Sequence, residues 1–166
     1  MIKRAEEKDV QIIAEMAVML WNSHSVEDMK AEFADIINSE EAEVFLMYVQ
    51  EHQFRQVCAS TALTVPKHKY IQDIPAGFAQ CQLRHDYVEG TDSSPVGYLE
   101  GIFVKEEYRK RGYGRELLAA CEQWAREQGC TEFASDCELS NTDSFQFHRR
   151  TGFEEANRVI CFTKRL

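Results

Sequence analysis

The chain has 166 residues, enough for one domain that removes roughly 70 % of its unfolded surface from water without disulfides or a structural metal. With 44 % hydrophobic and 28 % charged residues it has the balance of an ordinary soluble domain, and no apolar run is long enough to cross a bilayer. A formal net charge of −9 argues against sequence-independent nucleic-acid binding, which relies on Lys and Arg neutralising phosphates, and favours a cationic partner.

The N-terminus, Met1-Ile-Lys-Arg-Ala-Glu-Glu7, lacks the apolar run of a secretory leader, so the expected location is the cytoplasm. Cys58, Cys81, Cys121, Cys130, Cys137 and Cys161 form no C-x-x-C pair, and the histidines make no zinc-ligand pattern. They read as reduced thiols, mostly buried, with no metal.

Met1–Ala5 reads as a short opening strand. Val10, Ile13, Met16, Ala17, Leu20 and Trp21 recur at helical spacing and predict an amphipathic helix. Ser25-Val-Glu-Asp28 is an N-cap followed by a carboxylate at the third helical position, opening a second helix through about Ile37. Glu43–Gln50 and Ala76–Leu83 read as strands. Between them, Glu51–Pro75 reads as a long hairpin or a loop, with a further strand at Val57–Val65.

Gly97–Val104 is a strand alternating Tyr98, Glu100, Ile102 and Val104 against Leu99, Gly101 and Phe103. From Gly112 a helix carries Leu117, Leu118, Cys121, Trp124 and Ala125 on one face and stops at Gly129. Thr131–Asp136 is a short strand, Asn141 or Thr142 caps a short helix ending near Gly152, and Phe153–Lys164 holds one or two final strands. This order points to an α/β or α+β domain built on a central sheet.

After the Gly97–Val104 strand the chain reads Lys105-Glu-Glu-Tyr-Arg109-Lys110-Arg111-Gly112-Tyr113-Gly114-Arg115 and enters a helix. Glycines at such a turn let successive backbone N–H groups point inward, and the positive helix end adds to their pull on an anion. Arg109, Arg111 and Arg115 add charge. The pattern is neither a Walker loop nor a G-x-G-x-x-G turn, and it suits a diphosphate.

Arg109-x-x-Gly112-x-Gly114 resembles the acetyl-CoA pyrophosphate motif of the GNAT N-acetyltransferases, and the order of elements resembles that fold across nearly the whole chain. The resemblance implies a single domain over residues 1–166, with a mixed, mostly antiparallel sheet flanked by about four helices. Within that superfamily, Asp86–Thr91, Ser94–Val104, Cys130–Cys137 and Phe147–Phe153 are similar to the aminoglycoside 6'-N-acetyltransferases. These transfer an acetyl group from acetyl-CoA to the 6'-amine of a polycationic antibiotic.

That chemistry requires carboxylates to hold ammonium groups and accept a proton, a backbone donor for the oxyanion, and an acid for the leaving thiolate. Glu100, costly in an apolar strand unless it has a task or a partner, and Asp136, at the end of the next strand, are the expected substrate carboxylates and candidate bases. The resemblance places Ile102, Phe103, Val104 and the Arg109–Arg115 loop, Lys110 and Tyr113 included, on the cofactor. It places Trp21 and Tyr87 in the substrate pocket, although Trp21 also fits the core. Asn141 is either a contact to the pantetheine arm or only a helix cap. His148 stands where many members have a Tyr that protonates the thiolate, so it is either a candidate for that acid or a structural histidine. The family is often dimeric, and the aromatic C-terminal segment (Phe153, Phe162) offers a surface for a homodimer. Two other readings stay open: acetylation of a polyamine or protein amine, and a non-catalytic acetyl-CoA sensor.

Overall fold

The structure is a computed structural model and describes residues 1–55 and 68–166. The chain runs β1 (Ile2–Arg4), α1 (Val10–Leu20), α2 (Val26–Ile37), β2 (Ala42–Arg55), β3 (His68–Arg84), β4 (Val96–Val104), α3 (Tyr113–Glu127), β5 (Phe133–Ser135) and α4 (Thr142–Thr151). The strands lie side by side in chain order, β1 to β5, in one sheet. Neighbours are antiparallel up to β4, whereas β5 runs parallel to β4. That matches the expected mixed, mostly antiparallel sheet.

Each face of the sheet is covered because its inward residues are apolar. On one side Ile13, Ala14, Met16 and Ala17 of α1 and Met29 and Phe33 of α2 pack on Val44, Leu46, Phe78 and Phe103. On the other, Leu117, Leu118, Cys121, Trp124 and Ala125 of α3 pack on Phe45, Met47, Ala79, Cys81 and Leu99. The helix boundaries follow the chemistry of their ends. Ser25 Oγ accepts the Asp28 N–H at 3.2 Å and Asp28 accepts the Ser25 N–H at 3.2 Å, a reciprocal cap for α2. At the end of α3 the Gly129 N–H bonds the Arg126 carbonyl and the Cys130 N–H bonds the Ala125 carbonyl, satisfying carbonyls that the helix leaves open.

Three expectations need correction. First, β2 and β3 extend beyond Glu43–Gln50 and Ala76–Leu83 into a long hairpin, paired from Glu51↔Gln72 out to Arg55↔His68. Ile71, Gln72 and Asp73 in its outer arm are exposed, so no buried face imprinted a period on the sequence. The strand expected at Val57–Val65 lies outside the described residues. Second, Phe153–Lys164 forms no strand. Ala156 and Asn157 of this segment lie against the 87–91 loop instead, with Asn157 Nδ2 donating to Glu89 at 3.0 Å and Ala156 against Gly90. Third, the simple alternation of β4 fails at a bulge, and that bulge belongs to the site.

Candidate active site

The bulge comes from register. Gly101 pairs with Gln80 and Leu99 pairs with the next residue, Cys81, leaving Glu100 as an extra residue on β4. Side-chain parity therefore flips along the strand. Leu99 packs under α3, whereas Phe103 packs on the α1/α2 side. Ile102 and Val104 turn to the α3 side, away from Glu100, so the expectation that Glu100 and Ile102 share a face is overturned. Glu100 faces the same way as Tyr98, Gln82 and Arg84.

The parallel pairing of β4 with β5 is short: Gly97↔Phe133, Tyr98↔Ala134 and Leu99↔Ser135. Beyond it the two strands part, and the edge of Gly101–Val104 turned away from β3 has no strand partner among the described residues. This is a slot in which an extended ligand can pair with backbone groups as another strand would.

The slot leads to the glycine loop. After a short turn at Glu106–Tyr108, Lys110 (φ 61°) and Gly112 (φ 90°) both take the left-handed conformation, and Gly112 caps α3. A Cβ on Gly112 would meet nothing within 4 Å, so only the backbone angle calls for glycine there. A Cβ on Gly114 would stand 3.2 Å from the Phe147 ring, the close approach of α3 to α4. Among the described residues, the backbone N–H groups of Lys110, Arg111, Gly112, Tyr113 and Gly114 have no acceptor. Five successive unpaired donors at a helix N-terminus fit a diphosphate. The arginines stand around this cradle and are tethered: Arg109 donates to the Val104 carbonyl at 2.8 Å, Arg111 to the Glu107 carbonyl at 2.9 Å and Arg115 to the Arg150 carbonyl at 3.2 Å.

On the other side of the β4–β5 junction is a cavity of about 790 Å³ whose lining includes Arg84, Tyr87, Tyr98, Ser135, Asp136 and His148. Glu89, Glu122, Glu132, Glu138, Glu154 and Glu155 also line it, against the basic groups of Arg84 and Arg158. The balance is strongly acidic and suits a polycation. Hydrogen bonds from Ser93 and the Asp92 backbone hold Glu132 below the usual carboxylate range, and those from Asn157 and Tyr87 do the same for Glu89. Both stay ionised at neutral pH.

Glu100 has a full set of partners. Gln82 Nε2 donates to Oε1 at 2.7 Å, Arg84 Nε and Nη2 donate to Oε1 at 3.0 and 2.8 Å, and Nη2 reaches Oε2 at 2.9 Å. The Arg84 guanidinium carbon lies 3.4 Å from the centroid of the Tyr98 ring. Tyr98 is buried, and burial with the Asp136 carboxylate nearby pushes its phenol up to about 12. Asp136 itself is exposed at the end of β5. Sequence reading missed Arg84. The signal was present, because Gln82 and Arg84 alternate onto the face of a strand that neighbours the one carrying Glu100.

His148 is engaged through both ring nitrogens. Nδ1 lies 2.8 Å from the Ser144 carbonyl, which can only accept, so Nδ1 carries a proton. Nε2 lies 3.0 Å from Ser135 Oγ, and Ser135 Oγ also donates to the Leu99 carbonyl at 3.0 Å. Ser135, not foreseen from sequence, thus joins His148 to the point where β4 and β5 part. Asn141 is a helix cap, its Oδ1 accepting the Ser144 N–H at 3.0 Å. Tyr87 is on the cavity wall, 81 % exposed, with its hydroxyl on Glu89. Trp21 lies apart from the cavity lining, in an aromatic cluster with Phe33 and Phe78 and against Gly101 of β4.

A sheet whose parallel strands part between an N–H cradle and an acidic cavity defines a transferase that joins a diphosphate-bearing donor to a cationic acceptor. The model of the Acetyltransferase (GNAT) family matches residues 13–153, and the chain belongs to that family. Among curated relatives, the aminoglycoside N(6')-acetyltransferase type 1 of Stenotrophomonas maltophilia is 37 % identical over 161 residues, covering 97 % of this chain and 90 % of the relative. Among solved structures, AAC(6')-Iy in complex with the bisubstrate analog CoA-S-monomethyl-acetylneamine has a TM-score of 0.81 at 32 % identity, covering 100 % of this chain and 98 % of that one. The aminoglycoside 6'-N-acetyltransferase AAC(6')-IG of Acinetobacter haemolyticus has a TM-score of 0.83 at 31 % identity, covering 100 % and 99 %.

Proposed function

We propose that this chain is an acetyl-CoA-dependent aminoglycoside 6'-N-acetyltransferase that works by direct attack in a ternary complex. The observation that carries the reading is the acid-lined cavity meeting the parted strands beside the N–H cradle, in a chain similar over nearly its full length to enzymes of that name. Acetyl-CoA supplies the activated acetyl group, whose bond to sulfur gives way as the bond to the amine nitrogen forms.

The chain's own residues supply the rest. The N–H groups of Lys110–Gly114, with Arg109, Arg111 and Arg115, hold the diphosphate. The free edge of Ile102, Phe103 and Val104 aligns the pantetheine arm, with Asn141 at its flank, and a backbone N–H there meets the developing oxyanion. Asp136 stands in the acceptor site beside Tyr87 with Glu100 behind it, and Trp21 supports the bulge from behind Gly101. A carboxylate takes the proton that the attacking nitrogen loses. His148, through Ser135, returns a proton to the departing thiolate.

We place the enzyme in the cytoplasm, where its donor is made, and as a homodimer. The support for a dimer is the C-terminal segment, where Ile160 is 81 % and Phe162 90 % exposed. Light scattering on the purified protein measures that state.

The test of the activity follows CoA thiol release with kanamycin A, which has a 6'-amine, and with paromomycin, which has a 6'-hydroxyl. Release with kanamycin alone is expected. Release with both would move the target amine, and release with neither would return the acceptor to polyamines or proteins.

A further inference from the structure

The Glu100 carboxylate is already occupied by a cation of the protein. Arg84 forks onto both of its oxygens at 2.8 and 2.9 Å, and Oε1 also accepts from Arg84 Nε and Gln82. The fork is held from below by the Tyr98 ring at 3.4 Å. Both partners are partly shielded, with side-chain exposures of 38 % for Arg84 and 20 % for Glu100, so solvent screens the pair only in part. An ammonium group arriving in the cavity meets Arg84 and Tyr98 in its wall, with Glu100, itself not a lining residue, neutralised behind them. Asp136, by contrast, accepts no side-chain cation among the described residues.

We propose that Arg84 is a positioning and specificity-determining residue that masks Glu100, so that the reacting amine is received by Asp136 and Glu100 contributes shape rather than charge. The proposal rests on the aminoglycoside reading and deepens it. Two carboxylates alike in sequence then have different tasks, because one carries an internal counter-ion. Masking also sets selectivity, since an acceptor site with one open carboxylate gains less from an additional ammonium group than a site with two.

The experiment titrates kanamycin A into the CoA-saturated protein by calorimetry, for wild type, Arg84→Gln and Arg84→Lys, at two salt concentrations. Gln keeps a donor to Glu100 and removes the charge. It is expected to tighten binding about tenfold and to steepen the salt dependence, because a second carboxylate is released to the ligand. Lys keeps the charge and loses the fork, and its affinity is expected between the two. In steady state, Arg84→Gln in an Asp136→Asn background is expected to recover about tenfold in kcat, as the unmasked Glu100 takes over the proton. Unchanged or weaker binding by Arg84→Gln, with its melting temperature and CoA affinity retained, overturns the proposal. Should Arg84→Gln fail to fold, Arg84→Lys decides it: affinity at or below that of wild type counts against masking. Wild type that neither binds nor acetylates kanamycin A overturns the aminoglycoside reading itself. Wild type that does both, with no tightening in the variants, removes only the role of Arg84.

Discussion

Gly112 separates backbone strain from ligand binding in a way that can be measured. It sits at φ 90° with open space where a Cβ would go, so Gly112→Ala brings no clash and only the cost of a left-handed residue. That cost is about 1–2 kcal/mol if the backbone holds, lowering the melting temperature by roughly 2–8 °C for a chain of this size. If the backbone instead relaxes, the N–H groups of Gly112 to Gly114 lose their common aim. Each charge-assisted hydrogen bond to a phosphate is worth about 1.5–3 kcal/mol, so losing one raises the Kd for CoA by roughly 10- to 100-fold. Gly129 is the control. It has φ 85°, equally open space, and lies at the far end of α3 from the cradle. Gly129→Ala is expected to lose similar stability with an unchanged CoA Kd. The assay is calorimetric titration of CoA with a thermal melt on each variant. If Gly112→Ala keeps wild-type stability, the mark of a relaxed backbone, and still binds CoA like wild type while Gly129→Ala loses stability, the cradle is not the diphosphate site.

Three further outcomes are expected. His148→Gln, which can bond Ser135 but cannot carry a proton, should lower kcat by roughly 100-fold with CoA affinity retained; an unchanged kcat and pH profile would remove His148 from proton transfer. A thiol reagent on the native protein should label exposed Cys137 and Cys161 and spare Cys81, whose thiol is pushed up by the hydrogen bond with Cys121 and by burial; mass spectrometry finding Cys81 labelled at the rate of Cys137 would refute this. Burial for Tyr98 and the hydrogen bond to Glu51 for Tyr108 push both phenols from 10.0 up to about 12. The stability they lend is complete below pH 10 and lost as the pH climbs through about 12, because the unfolded chain ionises first. Denaturant melts of wild type and Tyr98→Phe across that window should converge, and a constant gap would contradict the assignment.

Local features were legible in the sequence. Helical spacing located α1 and α3, the Ser25 and Asp28 pair started α2, Gly129 ended α3, and the glycine loop after the β4 strand opened α3, because caps, turns and amphipathic faces act within a few residues. It also named Glu100, Asp136 and His148 as chemically notable. What surrounds each of them came from the folding of distant segments onto one another. Strand register is a contact between distant segments, so the bulge at Glu100, the turning of Ile102 to the other face and the meeting of Arg84 with Glu100 were fixed by pairing of β3 with β4. The same holds for Ser135 beneath His148, which depends on α4 folding back onto β5. Phe153–Lys164 read as one or two final strands. In this chain Ala156 and Asn157 of that segment contact the cavity loop instead, a tertiary contact that no local pattern encodes.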